Sequence, residues 1–209
     1  MTISRDAVLD WIKAFAAVVE QNKDYLTELD SAIGDADHGA NMHRGMQAVV
    51  AKLPGVADKD IGTVLKTVGM TLVSTVGGAG GPLYGTLFMQ MGATTAGKLE
   101  LTLADWTAAL DAGVAGVVMR GKANPGDKTM VDALTPALQA LKLAGDGQLT
   151  AALRQSEQAA ERGKLDTIPL IAKKGRASYL GERSAGHQDP GATSSHLLLK
   201  TAADLWAGA

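Results

Sequence analysis

SRDAVLDWIKAFAAVVEQNKDYLTEL, residues 4–29, carries apolar side chains at steps of three, four and seven residues. One stripe along an α-helix has this spacing, because 3.6 residues complete a turn. The stretch therefore predicts a long amphipathic helix with one buried face, formed by Val8, Ile12, Phe15, Val19, Leu26 and Leu29.

The rest of the chain repeats this helical pattern. No segment alternates apolar and polar residues over a strand length, and aromatic residues make up only 4% of the chain, so a sheet is not expected. Pro169 should kink or end its helix near Ile168. We predict an all-α fold of about eight helices, the first over 4–29 and the others over roughly 40–53, 59–76, 82–97, 103–120, 128–144, 149–171 and 190–207.

Length and composition bound the class of protein. The 209 residues, 46% apolar and 20% charged, are expected to form a single domain over 1–209. A net charge of -2, with basic residues scattered except between Lys173 and Arg176, disfavours nucleic acid as a partner. The chain has no cysteine, which removes disulfides and thiolate chemistry. Without a signal-like start or a long apolar run, we expect a cytoplasmic protein with no membrane segment.

The strongest local motif is Asp30 followed by GDADHG at 34–39. Asp35 and Asp37 lie two residues apart in a short loop, so that three carboxylates can converge. Magnesium is commonly held by a few carboxylates together with substrate phosphates. On spacing alone, helix capping or Asx-turns by Asp35 and Asp37 are equal alternatives. Calcium is disfavoured, because the calcium-loop pattern requires a later Glu where Gly45 stands.

A second motif, VGGAGGPL at 76–83, combines four glycines with a proline suited to a first helical turn. Backbone amides at such a helix start can bind phosphate, although glycine clusters equally permit close helix crossing. The motif is not a P-loop, because no Lys-Ser/Thr pair follows it.

The polar stretch KKGRASYLGERSAGHQDPG, residues 173–191, is too long for a simple helix connection, and loops of that length are usually functional or disordered. Asp189 can cap the last helix, with Pro190 at its first position. Arg176 could donate to a phosphate, but a solvated basic cluster is the more frequent role of such residues.

Four motifs together resemble the nucleotide-binding L subunits of dihydroxyacetone kinases, and the resemblance covers essentially the whole chain. The motifs are DSAIGDADHGANMHRG at 30–45, VGGAGGPLYGT at 76–86, RGKANPGDKTMVD at 120–132 and KGRASYLGERSAGHQDPGATS at 174–194. The resemblance implies a closed antiparallel barrel of eight helices, with an adenine nucleotide and two magnesium ions at one end.

The same resemblance implies the site residues. Asp30, Asp35 and Asp37 would bind both metal ions. Met130 would line the adenine pocket, and Arg176 would assist phosphoryl transfer as a catalytic residue. The nucleotide would be surrounded by His38, Gly39, Asn41, Gly78, Ala79, Gly80, Gly121, Thr129, Met130, Arg176, Asp189, Pro190 and Gly191.

The family's phosphotransferase-system form implies partners. In that form the L subunit keeps ADP as a tightly held cofactor, a phosphohistidine-carrying M subunit converts it to ATP, and a K subunit presents the covalently bound ketone. A homodimer or heteromeric complex is expected, and some L subunits also bind a transcriptional regulator. The alternatives are an ATP-dependent ketose or tetrulose kinase with exchangeable nucleotide and a non-catalytic nucleotide sensor.

One residue departs from the family pattern. The family typically has Ser at the position of Gly80, so that a hydroxyl donor to phosphate is missing here. Backbone amides could compensate, and we expect retained nucleotide binding, weaker by about 0.5–1.5 kcal/mol if the hydroxyl made an ordinary hydrogen bond.

Overall fold

The computed structural model describes residues 2–145 and 148–207. Within them the all-α prediction is confirmed. The helices are α1 (Arg5–Gln21), α2 (Lys23–Ile33), α3 (His38–Lys52), α4 (Ile61–Thr75), α5 (Gly80–Thr94), α6 (Leu103–Gly121), α7 (Val131–Ala144), α8 (Leu149–Asp166) and α9 (Pro190–Trp206). Short 3-10 helices occupy Leu53–Gly55 and Arg176–Ser184.

The helices close into a ring. Each helix from α3 to α8 packs on the next one along the chain, and α9 packs on α1, which in turn packs on α3. Helix α2 contacts the same two neighbours as α1, namely α3 and α9. In the described part of the chain, α1 and α3 to α9 therefore form the eight walls of the barrel, and α2 packs against two of them, α3 and α9.

The first predicted helix differs from the structure at Asn22. The side-chain amide of Asn22 donates a 2.8 Å hydrogen bond to the Val18 carbonyl oxygen. Asn22 itself departs from helical geometry, with φ of -102° and ψ of 8°, although its backbone N–H still donates to the Val18 carbonyl oxygen at 3.0 Å. The chain then forms a second helix, α2, which ends at Ile33 rather than at Leu29.

Other boundaries shift by a few residues. The helix predicted over 149–171 ends at Asp166, just before Pro169, as the missing N–H of that proline requires. The helix predicted from 128 begins at Val131. Two strands too short to show a period, β1 (Ile3–Ser4) and β2 (Glu100–Leu101), pair antiparallel; the sequence pattern did not predict them.

Aromatic packing fills the end of the barrel where α1 and α6 begin and α9 ends. Trp11 packs edge-on against Trp106 and in a tilted arrangement against Trp206, with ring centroids 5.3 and 5.4 Å apart, and tilted against Phe88 at 5.8 Å. Trp11 and Phe88 have no exposed surface. Since aromatic side chains bury large apolar areas, this cluster closes that end and leaves the opposite end for polar loops.

Close helix contact elsewhere depends on small residues. A Cβ added to Gly69 of α4 would lie 2.7 Å from the Gly85 carbonyl oxygen of α5. No helix of the described chain is both long and apolar enough to cross a bilayer.

Candidate functional site

A cavity of about 440 Å³ lies at the end of the barrel opposite the tryptophans. Four connections between helices line it: 34–37 between α2 and α3, 77–79 between α4 and α5, 123–130 between α6 and α7, and part of the stretch between α8 and α9. Helices α3, α5, α7 and α9 therefore begin at the cavity. Helix N-termini carry partial positive charge, so this end of the barrel favours anions.

The predicted acidic cluster forms in the structure. Asp30, Asp35 and Asp37 each offer a carboxylate oxygen, and these oxygens lie within 4.8 Å of one another. Asp30 is buried, whereas Asp35 is exposed to the cavity. Three carboxylates at this separation repel one another unless a cation lies between them, and oxygen ligands are those that magnesium prefers. The donor set therefore fits a divalent hard cation.

Asp30 holds the acidic loop in place. One of its carboxylate oxygens accepts hydrogen bonds from the backbone N–H of Asp37 at 2.8 Å and of His38 at 3.1 Å. Asp37 occupies the N-cap position of α3 without a side-chain capping bond among the described residues. The side chain of Asp37 therefore does not cap α3, and its carboxylate belongs to the acidic cluster instead.

Backbone strain concentrates around the cavity. Ala36, between the two loop aspartates, has φ of 59°, and Lys122 and Lys128 have φ of 48° and 63°. In the described chain these are the non-glycine residues with positive φ, a conformation that costs L-residues about 1–2 kcal/mol. Such strain is typical of functional sites.

The glycine motif divides between two roles. Gly78 has φ of 62° and lines the cavity just before α5. A Cβ on Gly77 would lie 3.0 Å from the side-chain amide of Asn41, so the loop passes close to α3. Gly81 serves helix packing instead, because a Cβ there would lie 2.3 Å from the Val76 carbonyl oxygen. The motif therefore contributes both to the cavity wall and to helix packing.

The start of α9 packs directly against the start of α7 in the cavity wall. Asp189 caps α9 by accepting a 2.7 Å hydrogen bond from the Ala192 backbone N–H. A Cβ on Gly191 would lie 3.5 Å from the backbone nitrogen of Met130, which is 4% exposed. Burial, aided by the nearby carboxylate of Asp132, raises the pKa of Asp189 to about 7.

A hydrogen-bonded chain runs beneath the acidic loop. Nε2 of His38 lies 2.9 Å from Oγ of Ser194, and that oxygen lies 2.7 Å from the Tyr84 hydroxyl. Burial lowers the pKa of His38, against the opposing effect of the Asp30 and Asp37 carboxylates. The same burial raises the pKa of Tyr84 to about 12. The chain therefore consists of neutral groups near pH 7, and it joins α3, α5 and α9.

Arg176 reaches the cluster from the long polar stretch. Its Nε lies 2.9 Å from an Asp35 carboxylate oxygen. The stretch itself is anchored, since the Ala172 backbone N–H donates to Ser184 Oγ at 2.9 Å and that of Gly186 donates to the Ile168 carbonyl oxygen at 2.8 Å. Arg176 is thus placed where a guanidinium could contact a phosphate bound beside Asp35.

The structure gathers the predicted site residues into this one cavity, with a single exception. Gly39 does not line it; a Cβ there would lie 2.0 Å from the Lys23 carbonyl oxygen, so Gly39 lets α3 pack on α2. Residue-by-residue reasoning missed Lys128, Tyr84 and Ser194, although all three stand inside the quoted motifs. Their roles depend on partners distant in sequence, which no local pattern reveals.

Fold and cavity together define a class: an all-helical barrel in which one end combines a carboxylate cluster with four helix N-termini. The family model described as the DAK2 domain matches residues 32–204. The chain belongs to the DAK2 domain family.

Named relatives agree with that family. The chain is 48% identical over 202 residues to "PEP-dependent dihydroxyacetone kinase, ADP-binding subunit DhaL" of Escherichia coli (strain K12), covering 96% of each chain. It is 42% identical over 196 residues to the corresponding ADP-binding subunit of the "PTS-dependent dihydroxyacetone kinase" of Lactococcus lactis subsp. lactis (strain IL1403), covering 94% of this chain and 95% of that one.

A solved structure shares the fold. The crystal structure of the dihydroxyacetone kinase from C. freundii in complex with AMP-PNP and Mg²⁺ matches with a TM-score of 0.70 and 25% identity. The match covers 94% of this chain but 33% of that one. The present chain therefore corresponds to about a third of that longer kinase.

Proposed function

We propose that this chain is the ADP-binding subunit of a phosphoenolpyruvate-dependent dihydroxyacetone kinase, a phosphotransferase. One observation carries the proposal: a cluster of three carboxylates lies in the same cavity as four helix N-termini. The first feature suits a divalent cation and the second an anion. A magnesium nucleotide brings both kinds of charge together.

Charge balance supports magnesium as the cation. ADP at about -3 beside three carboxylates would sum to about -6, a prohibitive concentration of like charge, whereas two Mg²⁺ ions would bring the sum to about -2. Asp30, Asp35 and Asp37 would hold the ions. Magnesium held by these carboxylates would supply charge neutralisation for the phosphates during phosphoryl transfer.

The remaining walls suit the nucleotide. Phosphates would lie against the amides of Gly78, Ala79 and Gly80, at the start of α5, with Asn41 on the adjoining helix. The base would lie near Met130, between the starts of α7 and α9. Gly121, Thr129, Pro190 and Gly191 line the same space, and Asp189 and His38 hold their loops.

The relatives' names support a relay with other chains. A phosphohistidine-carrying M subunit would supply the phosphoryl group, which would pass by way of the nucleotide to dihydroxyacetone on a K subunit. The chain's own contribution is to hold the nucleotide tightly, to exclude water and to orient the phosphate next to Arg176. We further propose a single domain over 1–209, a cytoplasmic complex and, in some settings, contact with a transcriptional regulator.

The ATP-dependent alternative has weaker support. The "L-erythrulose 1-kinase" of Mycolicibacterium smegmatis (strain ATCC 700084 / mc(2)155) is 35% identical over 198 residues, but the chain covers 34% of that protein. The relatives that match this chain from end to end are named as ADP-binding subunits.

Native mass spectrometry of protein purified without added nucleotide tests the proposal. We expect the added mass of one ADP and two magnesium ions, both released by EDTA. Protein that carries no nucleotide and also fails to bind ADP with magnesium would refute it. Protein that binds ADP but loses it on desalting would favour the exchanging, ATP-dependent alternative.

A further inference from the structure

Lys128 is a buried lysine that the proposed chemistry leaves unused. Its side chain is 1% exposed. Its ammonium donates to the Thr167 carbonyl oxygen at 2.7 Å, to that of Ile168 at 3.4 Å and to that of His187. A buried ammonium is costly unless its donors are paired, and here three carbonyl oxygens accept them.

Two nearby carboxylates offset part of the cost of burying the Lys128 ammonium. The carboxylates of Asp189 and Asp132 lie close enough to favour the charged ammonium, although burial lowers the pKa of Lys128. Asp132 in turn accepts a 2.7 Å hydrogen bond from the Thr129 backbone N–H. The lysine is therefore part of a polar network in the cavity wall, where it is one of the lining residues.

The three carbonyls belong to two segments that are distant in sequence. Thr167 and Ile168 follow α8, and His187 stands two residues before the cap of α9. The Thr167 hydroxyl also accepts a 3.0 Å hydrogen bond from the Asp189 backbone N–H. Lys128 itself directly precedes Thr129 and Met130 in the connection to α7. Its ammonium thus ties the start of α7 to the start of α9.

We propose that Lys128 is a positioning residue, whose ammonium fixes the loops carrying Met130 and Asp189–Gly191 at the spacing that a bound adenine nucleotide requires. The inference rests on the proposed function, because the proposed function is what assigns these two loops to nucleotide binding. Lys128 contacts no phosphate in this scheme, since its donors point at backbone carbonyl oxygens.

Backbone geometry allows the ammonium to be removed without new strain. Lys128 has φ of 63°, which glycine adopts freely. Lys128→Gly therefore deletes the side chain while favouring the observed backbone. Lys122 is a matched control, because it stands in the same connection, has φ of 48° and is exposed; Lys122→Gly makes the same chemical change away from the network.

The experiment is calorimetric titration of Mg·ADP into nucleotide-stripped wild type, Lys128→Gly and Lys122→Gly. We expect the dissociation constant to rise about tenfold or more in Lys128→Gly, as for loss of a charge-assisted hydrogen bond, and to be unchanged in Lys122→Gly. n-Butylammonium, which replaces the missing chain and charge, should restore affinity, whereas 1-butanol should not. Wild-type affinity in Lys128→Gly, or equal rescue by 1-butanol, would overturn the proposal.

Hydrogen exchange of the nucleotide-free proteins gives a second reading. In Lys128→Gly we expect faster amide exchange only in residues 126–131, 166–170 and 185–191. If the exchange rate also rose throughout α4 and α5, the variant would be generally destabilised, and the positioning role would be contradicted. If Lys128→Gly does not fold, Lys128→Met is put through the same tests, because it keeps the volume and lacks the charge. Failure of wild type to bind ADP would refute the proposed function. The local exchange pattern would still show whether Lys128 holds the starts of α7 and α9 together.

Discussion

Nε2 of His38, the first residue of α3, lies 2.9 Å from Oγ of Ser194 in α9. The same serine oxygen lies 2.7 Å from the Tyr84 hydroxyl of α5. Three of the four helices that begin at the cavity are therefore joined by one buried hydroxyl. Because His38 directly follows Asp37, this bond also fixes the acidic loop to α9 and, through Tyr84, to α5.

Ser194→Ala should weaken magnesium-dependent ADP binding by about three- to tenfold. The change removes a hydroxyl bonded to both His38 and Tyr84, and an ordinary buried hydrogen bond contributes about 0.5–1.5 kcal/mol. Calorimetric titration with Mg·ADP measures the effect. Ser195→Ala is the control, since Ser195 bonds Tyr84 at 3.1 Å without contacting His38. Equal losses in the two variants would show that the His38 bond does not position the loop.

Gly80→Ser should tighten ADP binding by about three- to tenfold, because it adds a hydroxyl donor at the start of α5 worth one ordinary hydrogen bond. A Cβ at this position would lie 3.3 Å from Val76 Cγ1, which requires a small adjustment. Gly78→Ser is the comparison: its φ of 62° makes any side chain costly by about 1–2 kcal/mol. Unchanged affinity in Gly80→Ser, with a normal thermal midpoint, would mean that phosphate does not approach this residue.

Asp189→Asn should remove part of the pH dependence of stability. Burial raises the Asp189 pKa from 3.8 to about 7, so the folded protein keeps a proton that the unfolded chain has lost. The free energy of unfolding should therefore fall as pH rises from about 4 to 7, by at most about 1.4 kcal/mol per pH unit, and level off above that range.

Urea unfolding of metal-free, nucleotide-free protein at several pH values measures this slope. Asparagine keeps the capping ability of the side chain, so Asp189→Asn should differ from wild type mainly in slope. Parallel curves for the two proteins across pH 4 to 7 would exclude a protonated Asp189 in the fold.

Arg176→Ala should reduce phosphoryl transfer by about tenfold or more while nucleotide stays bound, because a guanidinium that stabilises transferring phosphate acts mainly in the transition state. The reaction is followed in the reconstituted complex with K and M subunits, with bound nucleotide determined separately. Arg183→Ala, an exposed arginine of the same 3-10 segment, is the control. A rate equal to wild type in Arg176→Ala would remove this residue from the mechanism.

The sequence predicted helix type well and helix ends less well. Apolar spacing reports burial along one face, which is why the helices were found, whereas the break between α1 and α2 at Asn22 does not change that spacing. The pairing of Ile3 with Leu101 was missed because a strand of two residues has no period. For the site, GDADHG indicated the carboxylates but left capping and metal binding equal. The 4.8 Å clustering and the lack, among the described residues, of a side-chain capping bond from Asp37 favour the metal interpretation.

The sequence by itself determined the helical class, the acidic and glycine motifs and the family, because each is written in residues that stand near one another along the chain. Only the tertiary structure decided which residues share a cavity, that Gly39 packs on α2 instead of lining it, and that Lys128 holds the carbonyls of Thr167 and His187. The reason is physical. A hydrogen bond or a buried charge is fixed by distance in space, and closing a ring of eight walls brings together residues separated by tens of positions in sequence.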